Sequence, residues 1–376
     1  MLFTYLKLAF RNAFKNKSLA FLNIANLSIG LASAIAVYVV LWGGFHMNTF
    51  HHNIDKLYQV KSHARELHES FVSGATSALL AEAMKEEIPE IKKACRVIIF
   101  NNEELIGYVD NNVKEVGIFA DPLFLNMFTF PLVYGDPSTA LSEPNSIIIS
   151  ESMSMKLFKG ENPLNKTMNL FSVYEEKPEV FTITGVFKDY EITSTLNFEY
   201  VIPYDNYIKN HRGIESWNNI GTRTFVELYA ESDPTEVGQK ITSVVNDRNT
   251  PDDANNSEML LVPFKNNHLY QGAKVPGSYG PQFYVFIVIG IIGMLILLVS
   301  VINYVNLSTA WSIKRAKEVG IRKITGAGQK SLKLQFLGET FIIVAISVTF
   351  AVLLSVVGIH YLGKMMDQKL SLPFNN

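Results

Sequence analysis

Apolar and polar positions divide the chain into three long apolar runs and one long mixed stretch. No charged residue occurs between Lys274 and Lys314, and none between Glu339 and Lys364. Each gap exceeds the roughly 20 apolar residues needed to cross a hydrocarbon core of about 30 Å. They predict membrane helices over 283–311 and 336–363; two buried helices of a soluble core are the alternative, but uninterrupted runs this long are rare there. The first run, Ala20 to Phe45, follows Lys7, Arg11, Lys15 and Lys17 and so resembles a signal peptide. It is too long for an h-region and lacks an A-x-A exit, so it reads as an uncleaved span over 19–45. Ahead of it, Leu2, Tyr5, Leu6, Ala9, Phe10 and Phe14 form a stripe opposite Lys7, Arg11 and Lys15. That pattern predicts an amphipathic helix over 1–18 lying on the inner leaflet.

The mixed stretch, 46–282, alternates helix-like and strand-like pieces. Ala75–Ile88 has helical spacing, with Leu79, Leu80, Ala83 and Met84 inward and Pro89 as the stop. Arg96–Phe100 and Phe225–Ala230 read as strands. Pro234–Val245 reads as a helix with Asp233 as N-cap and Pro234 at N1. Ile147–Ile149 and Val180–Val186 are strand-like, and Glu151–Phe158 is a short helix capped by Ser150. The predicted fold is an α-helical membrane protein with three transmembrane helices and an α+β extracytoplasmic domain. That domain comprises an α/β subdomain, closed by residues far apart in sequence, and an inserted β-rich subdomain over about 132–222.

Charge fixes the orientation. The chain is nearly neutral, at −2, but residues 46–282 hold 32 acids and 20 bases, while the remainder holds 13 bases and 3 acids. A membrane sorts a chain this way, with basic flanks inside and an acidic domain outside. The N-terminus is therefore cytoplasmic, and three spans carry residues 364–376 to the outside. Cys95 is the single cysteine, so the exported domain depends on its core for stability.

The segment between the second and third spans, 312–335, is a basic hinge: Lys314, Arg315, Lys317, Arg322, Lys323, Lys330 and Lys333 against Glu318. Arg315, Glu318 and Arg322 fall on one helical face, and Ile313, Ala316, Gly320 and Ile324 on the other. Gly326 and Gly328 are expected to break this helix. By physics alone the charges could serve only to fix topology. Gly326–Ser331 imitates a phosphate loop, but Gln329 separates Gly328 from Lys330 and no strand precedes, so no ATP site is expected here. His46, His51, His52, His63 and His68 cluster after the first span without metal-ligand spacing and read as solvated side chains near the membrane surface. Ser150, Ser152 and Ser154 lack a nucleophile elbow. Asn23, Asn26, Asn303, Asn306 and Glu339 sit at the cytoplasmic ends of the spans. They are placed either at headgroup level or in interhelical hydrogen bonds. Gly30/Ala34 and Gly290/Gly293 offer close-packing surfaces.

The words INYVNLSTA (302–310), KRAKEVGIRKITGA (314–327) and QFLGET (335–340) resemble the signature of FtsX-like permeases, membrane subunits of ABC systems. ADPLFLNMFTFPLVYGDPSTAL, NSIIISESMSMKLFKGENPLNKTM and FTITGVFKDY are similar to the periplasmic core domain of MacB-like permeases. The resemblance implies a multi-pass protein of the bacterial cytoplasmic membrane with its large domain in the periplasm. It implies that Lys314, Arg315, Lys317, Glu318, Val319, Gly320, Ile321, Arg322, Lys323, Gly326 and Ala327 form a coupling helix resting on a separate cytoplasmic ATPase. ATP and Mg would belong to that partner, and this chain would carry no cofactor and no catalysis. A second permease unit, membrane lipids and a periplasmic adaptor or outer-membrane protein are the other implied partners; nucleic acid is not. Such permeases have at least four spans per unit, so three spans predict a portion of a longer four- or eight-span protein. The implied work is mechanical: export of peptides, antibiotics or lipoproteins, or a signal to a partner. A ligand-sensing receptor and a scaffold without an ATPase are the rival readings, and co-purification of an ATPase separates them.

Overall fold

The computed structural model describes residues 17–65, 70–99, 102–109, 111–171, 178–190, 194–211, 213–248, 258–274, 277–324 and 329–366. The amphipathic helix expected over 1–18 lies almost wholly outside the described residues. The chain divides into two compact units: 1–45 with 285–376, and 46–284.

The first unit contains helix α1 (Lys17–Phe45) and most of the last two helices described below; among the described residues three helices are long and apolar enough to cross a membrane. Their outward residues, such as Ile291, Met294, Val299, Leu353 and Val357, are half-exposed or more. Exposed apolar area on this scale is tolerated only where lipid replaces water.

The second unit is one mixed sheet with helices on it. In chain order it contains β1 (Leu57–Arg65), β2 (Ser70–Ser73), β3 (Thr76–Ser77), α2 (Leu80–Glu87) and β4 (Ile91–Ile99). An excursion follows: β5 (Glu104–Tyr108), β6 (Asn111–Glu115), β7 (Gly117–Ala120), α3 (Phe124–Met127), β8 (Leu132–Tyr134), β9 (Ser146–Ser150) and α4 (Glu151–Phe158). It continues through β10 (Thr167–Phe171), β11 (Glu179–Phe187), β12 (Tyr200–Pro203) and α5 (Tyr204–Asn210). The chain then returns through β13 (Ile220–Leu228), α6 (Pro234–Asn246), β14 (Glu258–Pro263) and a short 3₁₀ segment, Phe264–Tyr270.

Strand order is β14-β1-β13-β4-β7-β12-β9-β11-β10-β5-β6. The first four strands are mutually antiparallel and, with α2 and α6, form a split βαβ unit interrupted between β4 and β13. Its second half lies more than a hundred residues after its first, which is the closure by distant residues that the pattern suggested. The segment read as inserted, 132–222, takes in β8 to β12; β5, β6 and β7, which precede it, pair with the same half of the sheet. β7 pairs with both β4 and β12, so it is the seam between the halves.

Two faces explain the alternation. Val60, Val226, Leu80, Met84, Val237 and Ile241 fill the side covered by α2 and α6. The other side is an aromatic core shared by both halves: Leu57, Cys95, Phe225 and Phe264 from one, Phe124, Phe128, Phe187 and Phe198 from the other. Shared burial makes the two halves one body. Local signals held where caps were decisive. Ser150 Oγ accepts from the Met153 amide at 3.0 Å, and Asp233 Oδ1 from the Thr235 amide at 2.8 Å. The helix expected from Ala75 begins only at Leu80. Thr76 is drawn into the sheet, its hydroxyl donating to the Thr222 carbonyl at 2.9 Å, and this tertiary bond overrides helical spacing.

Two histidines read as solvated are buried: His51 is 2% exposed and His63 5%. His68 lies outside the described residues. The ring of His51 stands among Phe50, Phe128, Phe130 and Phe264, and its Nδ1 accepts from the Thr129 amide at 2.9 Å. Burial, and secondarily His52, pulls its pKa from 6.5 to about 3. The unfolded chain therefore takes up a proton near pH 6.5 that the folded domain refuses until about pH 3. Stability rises with pH across that window and is flat above it. At pH 5 the domain is expected to be less stable than at pH 7.5 by about 2 kcal/mol. Chemical unfolding of the full chain at the two pH values measures this. His51→Asn, which keeps the acceptor, should remove the difference; an undiminished deficit in that variant would rule the histidine out as its source.

Candidate functional site

The residues expected to act at the membrane lie on three helices. Helix α7 (Pro281–Ile324) runs unbroken for 44 residues, and α8 (Gln329–Met366) follows for 38. At 1.5 Å per residue α7 is about 66 Å long, twice the hydrocarbon thickness. Its apolar portion ends at Trp311, so the last turns continue as helix beyond the span. The boundary expected near residue 312 is thus a change of chemistry on one rigid rod. Lys314, Arg315, Lys317, Glu318, Arg322 and Lys323 occupy these turns by backbone position; their side chains, and Gly326 and Ala327 altogether, lie outside the described residues. Val319 is half-buried, while Gly320, Ile321 and Ile324 are exposed, Ile324 at 88%.

Helix α1 packs against both others. Asn26 Nδ2 donates to the Ser300 carbonyl on α7 at 2.7 Å. Ser28 Oγ donates to the Ser347 carbonyl on α8 at 3.2 Å, and Ser355 Oγ on α8 to the Ala32 carbonyl at 3.4 Å. A Cβ on Gly30 would fall inside the van der Waals radius of the Ser300 side chain, and one on Gly293 would stand 2.7 Å from Val37 Cγ2. These glycines let α1 and α7 approach closely enough for the Asn26 bond, the small-residue packing that membranes favour. The serines carried no signal in the sequence, because hydroxyls in an apolar run are unremarkable until a neighbouring carbonyl is in reach.

The other polar positions divide. Asn23 is 7% exposed, and its Oδ1 has no hydrogen-bond partner among the described residues. Glu339 is also 7% exposed and accepts from Gln335 Nε2 at 3.1 Å. Asn303 and Asn306 are exposed on α7. Interhelical bonding thus holds for Asn26, and the structure does not bring the five together. Among the described residues no group of histidine, cysteine, aspartate or glutamate side chains is arranged to hold a metal.

Three spans, with a large mixed α/β domain inserted between the first and second, define a polytopic membrane protein with an extracytoplasmic domain. The MacB-like periplasmic core domain matches residues 20–244 and the FtsX-like permease C-terminal domain residues 290–375. The first match alone covers more than half of the chain, and the chain belongs to this family of ABC transporter permeases. No curated protein matches it. Similar solved structures include a permease-protein domain from Porphyromonas gingivalis, at 23% identity over 56% of this chain and 92% of that one, TM-score 0.48. The extracellular domain of the noncanonic ABC-type transporter YknZ from Gram-positive bacteria matches at 15% identity, covering 55% and 99%, TM-score 0.40. The periplasmic region of MacB from Actinobacillus actinomycetemcomitans matches at 11%, covering 55% and 88%, TM-score 0.39.

Proposed function

We propose that this chain is the permease subunit through which a cytoplasmic ABC ATPase does conformational work on the periplasmic side. The observation that carries this reading is the continuity of α7 from Pro281 to Ile324. A helix without a break transmits displacement along its axis as one element, so force applied to its basic end reaches Pro281, where the chain leaves the extracytoplasmic domain. Arg315 and Arg322, which sequence spacing places on one helical face, supply charge complementarity for an ATPase, and exposed Gly320 and Ile324 supply an apolar footing on the opposite face. Asn303 and Asn306, exposed on the same rod, are available to hydrogen-bond a second permease unit. The work is export or release of exterior substrates such as peptides, antibiotics or lipoproteins.

The test is co-purification of an ATPase with the membrane-inserted chain. Arg315→Glu combined with Arg322→Glu is expected to lower recovered ATPase at least tenfold without lowering the amount of permease in the membrane. Equal ATPase recovery from wild type and variant would reject the basic face as the docking element.

A further inference from the structure

The sheet forks where β1 leaves β13. Paired residues of these strands end at Val60 and Thr224. Beyond that point β1 takes β2 as its neighbour, Ser62 opposite Ser73, and β13 takes β3, Thr222 opposite Thr76. Gly74 closes the fork between the two short strands. A Cβ there would stand 2.6 Å from Gln59 Nε2 and 3.8 Å from Gln271 Oε1. Lys61 and Arg223 are the first residues past the last pair, one on each strand. By strand alternation both face the side of Gln59 and Phe225.

Both carry charge that the fold leaves uncompensated. Lys61 is 1% exposed; its ammonium donates to the Asn267 carbonyl at 2.5 Å and to Gln271 Oε1 at 3.4 Å. One of its three donors remains unused. Arg223 is half-buried, and its guanidinium has no hydrogen bond or ion pair among the described residues. The acids on this face are engaged elsewhere. Glu227 pairs with Lys92 at 2.7 Å and Lys93 at 3.4 Å, and Glu258 stands 3.7 Å from His63 Nδ1. Burial, and then Arg223, pushes the Lys61 pKa down to about 7, and burial lowers that of Arg223. Neighbouring like charges in a sheet interior oppose folding, and an apolar residue at 61 would serve stability better.

We propose that the fork binds a phosphate-bearing anion, with Arg223 at the mouth and Lys61 at the back. Arg223, together with Lys61 held protonated by the bound anion, matches the charge of a phosphate monoester, about −1.5 to −2 near neutral pH, better than the single charge of a carboxylate. The guanidinium fork suits two phosphate oxygens, and the unused ammonium donor reaches a third. Both acceptors of Lys61 lie between β14 and α7, so the ligand stands against the stretch through which the domain continues into the second span. This inference is independent of the ATPase reading. The phosphate belongs either to a soluble monoester or to a lipid headgroup that ends in a phosphate monoester, as in phosphatidic acid.

The test titrates inorganic phosphate into the full chain in neutral detergent, with sodium chloride holding ionic strength constant, and follows the thermal unfolding midpoint. The wild type is expected to rise with phosphate and to respond at least tenfold more weakly to acetate. Arg223→Gln, whose side chain holds no native bond, should fold normally and weaken the apparent phosphate affinity at least tenfold. Lys61→Met should abolish the response while unfolding no earlier than wild type without phosphate. Repeating the titration in phosphatidylcholine discs with and without phosphatidic acid, whose headgroup is a phosphate monoester, identifies the source. A phosphate affinity reduced by phosphatidic acid assigns the headgroup, and an unchanged one assigns the soluble ester. The proposal is overturned if chloride alone reproduces the shift, or if Arg223→Gln titrates like wild type.

Discussion

Asp121→Ala is expected to destabilise the extracytoplasmic domain by about 3–5 kcal/mol, the usual cost of removing one partner from a buried charge pair. Asp121 follows β7, the seam strand, and engages Arg96 on β4. Its carboxylate accepts from the Arg96 amide at 2.7 Å, from Nε at 3.1 Å and from Nη2 at 2.9 Å. The guanidinium also lies over the ring of Tyr204, 4.3 Å from its centroid, and Tyr204 opens the helix after β12. Arg96 is 8% exposed, so losing Asp121 strands a cation against an aromatic face with Glu82, at 3.9 Å and largely exposed, as its remaining partner. The damage falls on the line joining the two halves of the sheet. Hydrogen exchange should rise first at Val97–Ile99 and Ile118–Ala120, which pair across it. Arg96→Met with Asp121→Leu should recover most of the loss, because removing both charges removes the stranded one. A deficit below about 1 kcal/mol in Asp121→Ala would mean that the shared aromatic core alone holds the seam.

That pair marks the boundary between what the sequence disclosed and what it did not. Elements with their own punctuation were legible. Ser150 before Glu151–Phe158, Asp233-Pro234 before α6, and the uncharged runs of the spans each carry a local physical cause. The sheet, fourteen strands among the described residues, was not legible as one object, since its pairings join residues such as Phe225 and Cys95 that lie 130 positions apart. The sequence likewise gives no means of telling a buried lysine from a solvated one. Lys61 sits in YQVKSHAR, whose alternation looks like an ordinary half-exposed strand, and only the cover from Phe264–Tyr270 buries the polar side. His51 reads as solvent-facing for the same reason, because the phenylalanines around it, apart from the adjacent Phe50, come from two other segments. At the membrane, periodicity identified the spans and the basic hinge. It could not show that α7 continues through Ile324, since helix continuity across a change from apolar to basic leaves no periodic break.

Asn48→Ala should have the second large effect, about 3–5 kcal/mol, through several buried bonds lost at once. Asn48 is 0% exposed and lies three residues past the end of α1. Its Oδ1 accepts from the Thr195 amide at 2.9 Å and from Ser194 Oγ at 3.2 Å. Its Nδ2 donates to the Phe264 carbonyl at 2.9 Å and to Asn267 Oδ1 at 3.4 Å. One amide therefore ties the start of the domain to the excursion and to the segment that precedes α7. The backbone adds a second demand: Asn48 has φ +64°, a left-handed conformation that asparagine tolerates and alanine resists by about 1 kcal/mol. Asn48→Gly separates the two contributions. Glycine removes the backbone penalty but restores no bond, so it should remain within about 1 kcal/mol of the alanine variant. Urea unfolding of the full chain gives both values. If glycine instead returns the wild-type midpoint, the side chain is dispensable and the position is kept for its turn alone. If both variants are crippled alike, the bonds of that amide to Thr195, Phe264 and Asn267 are what hold the start of the domain, the excursion and the segment before α7 together.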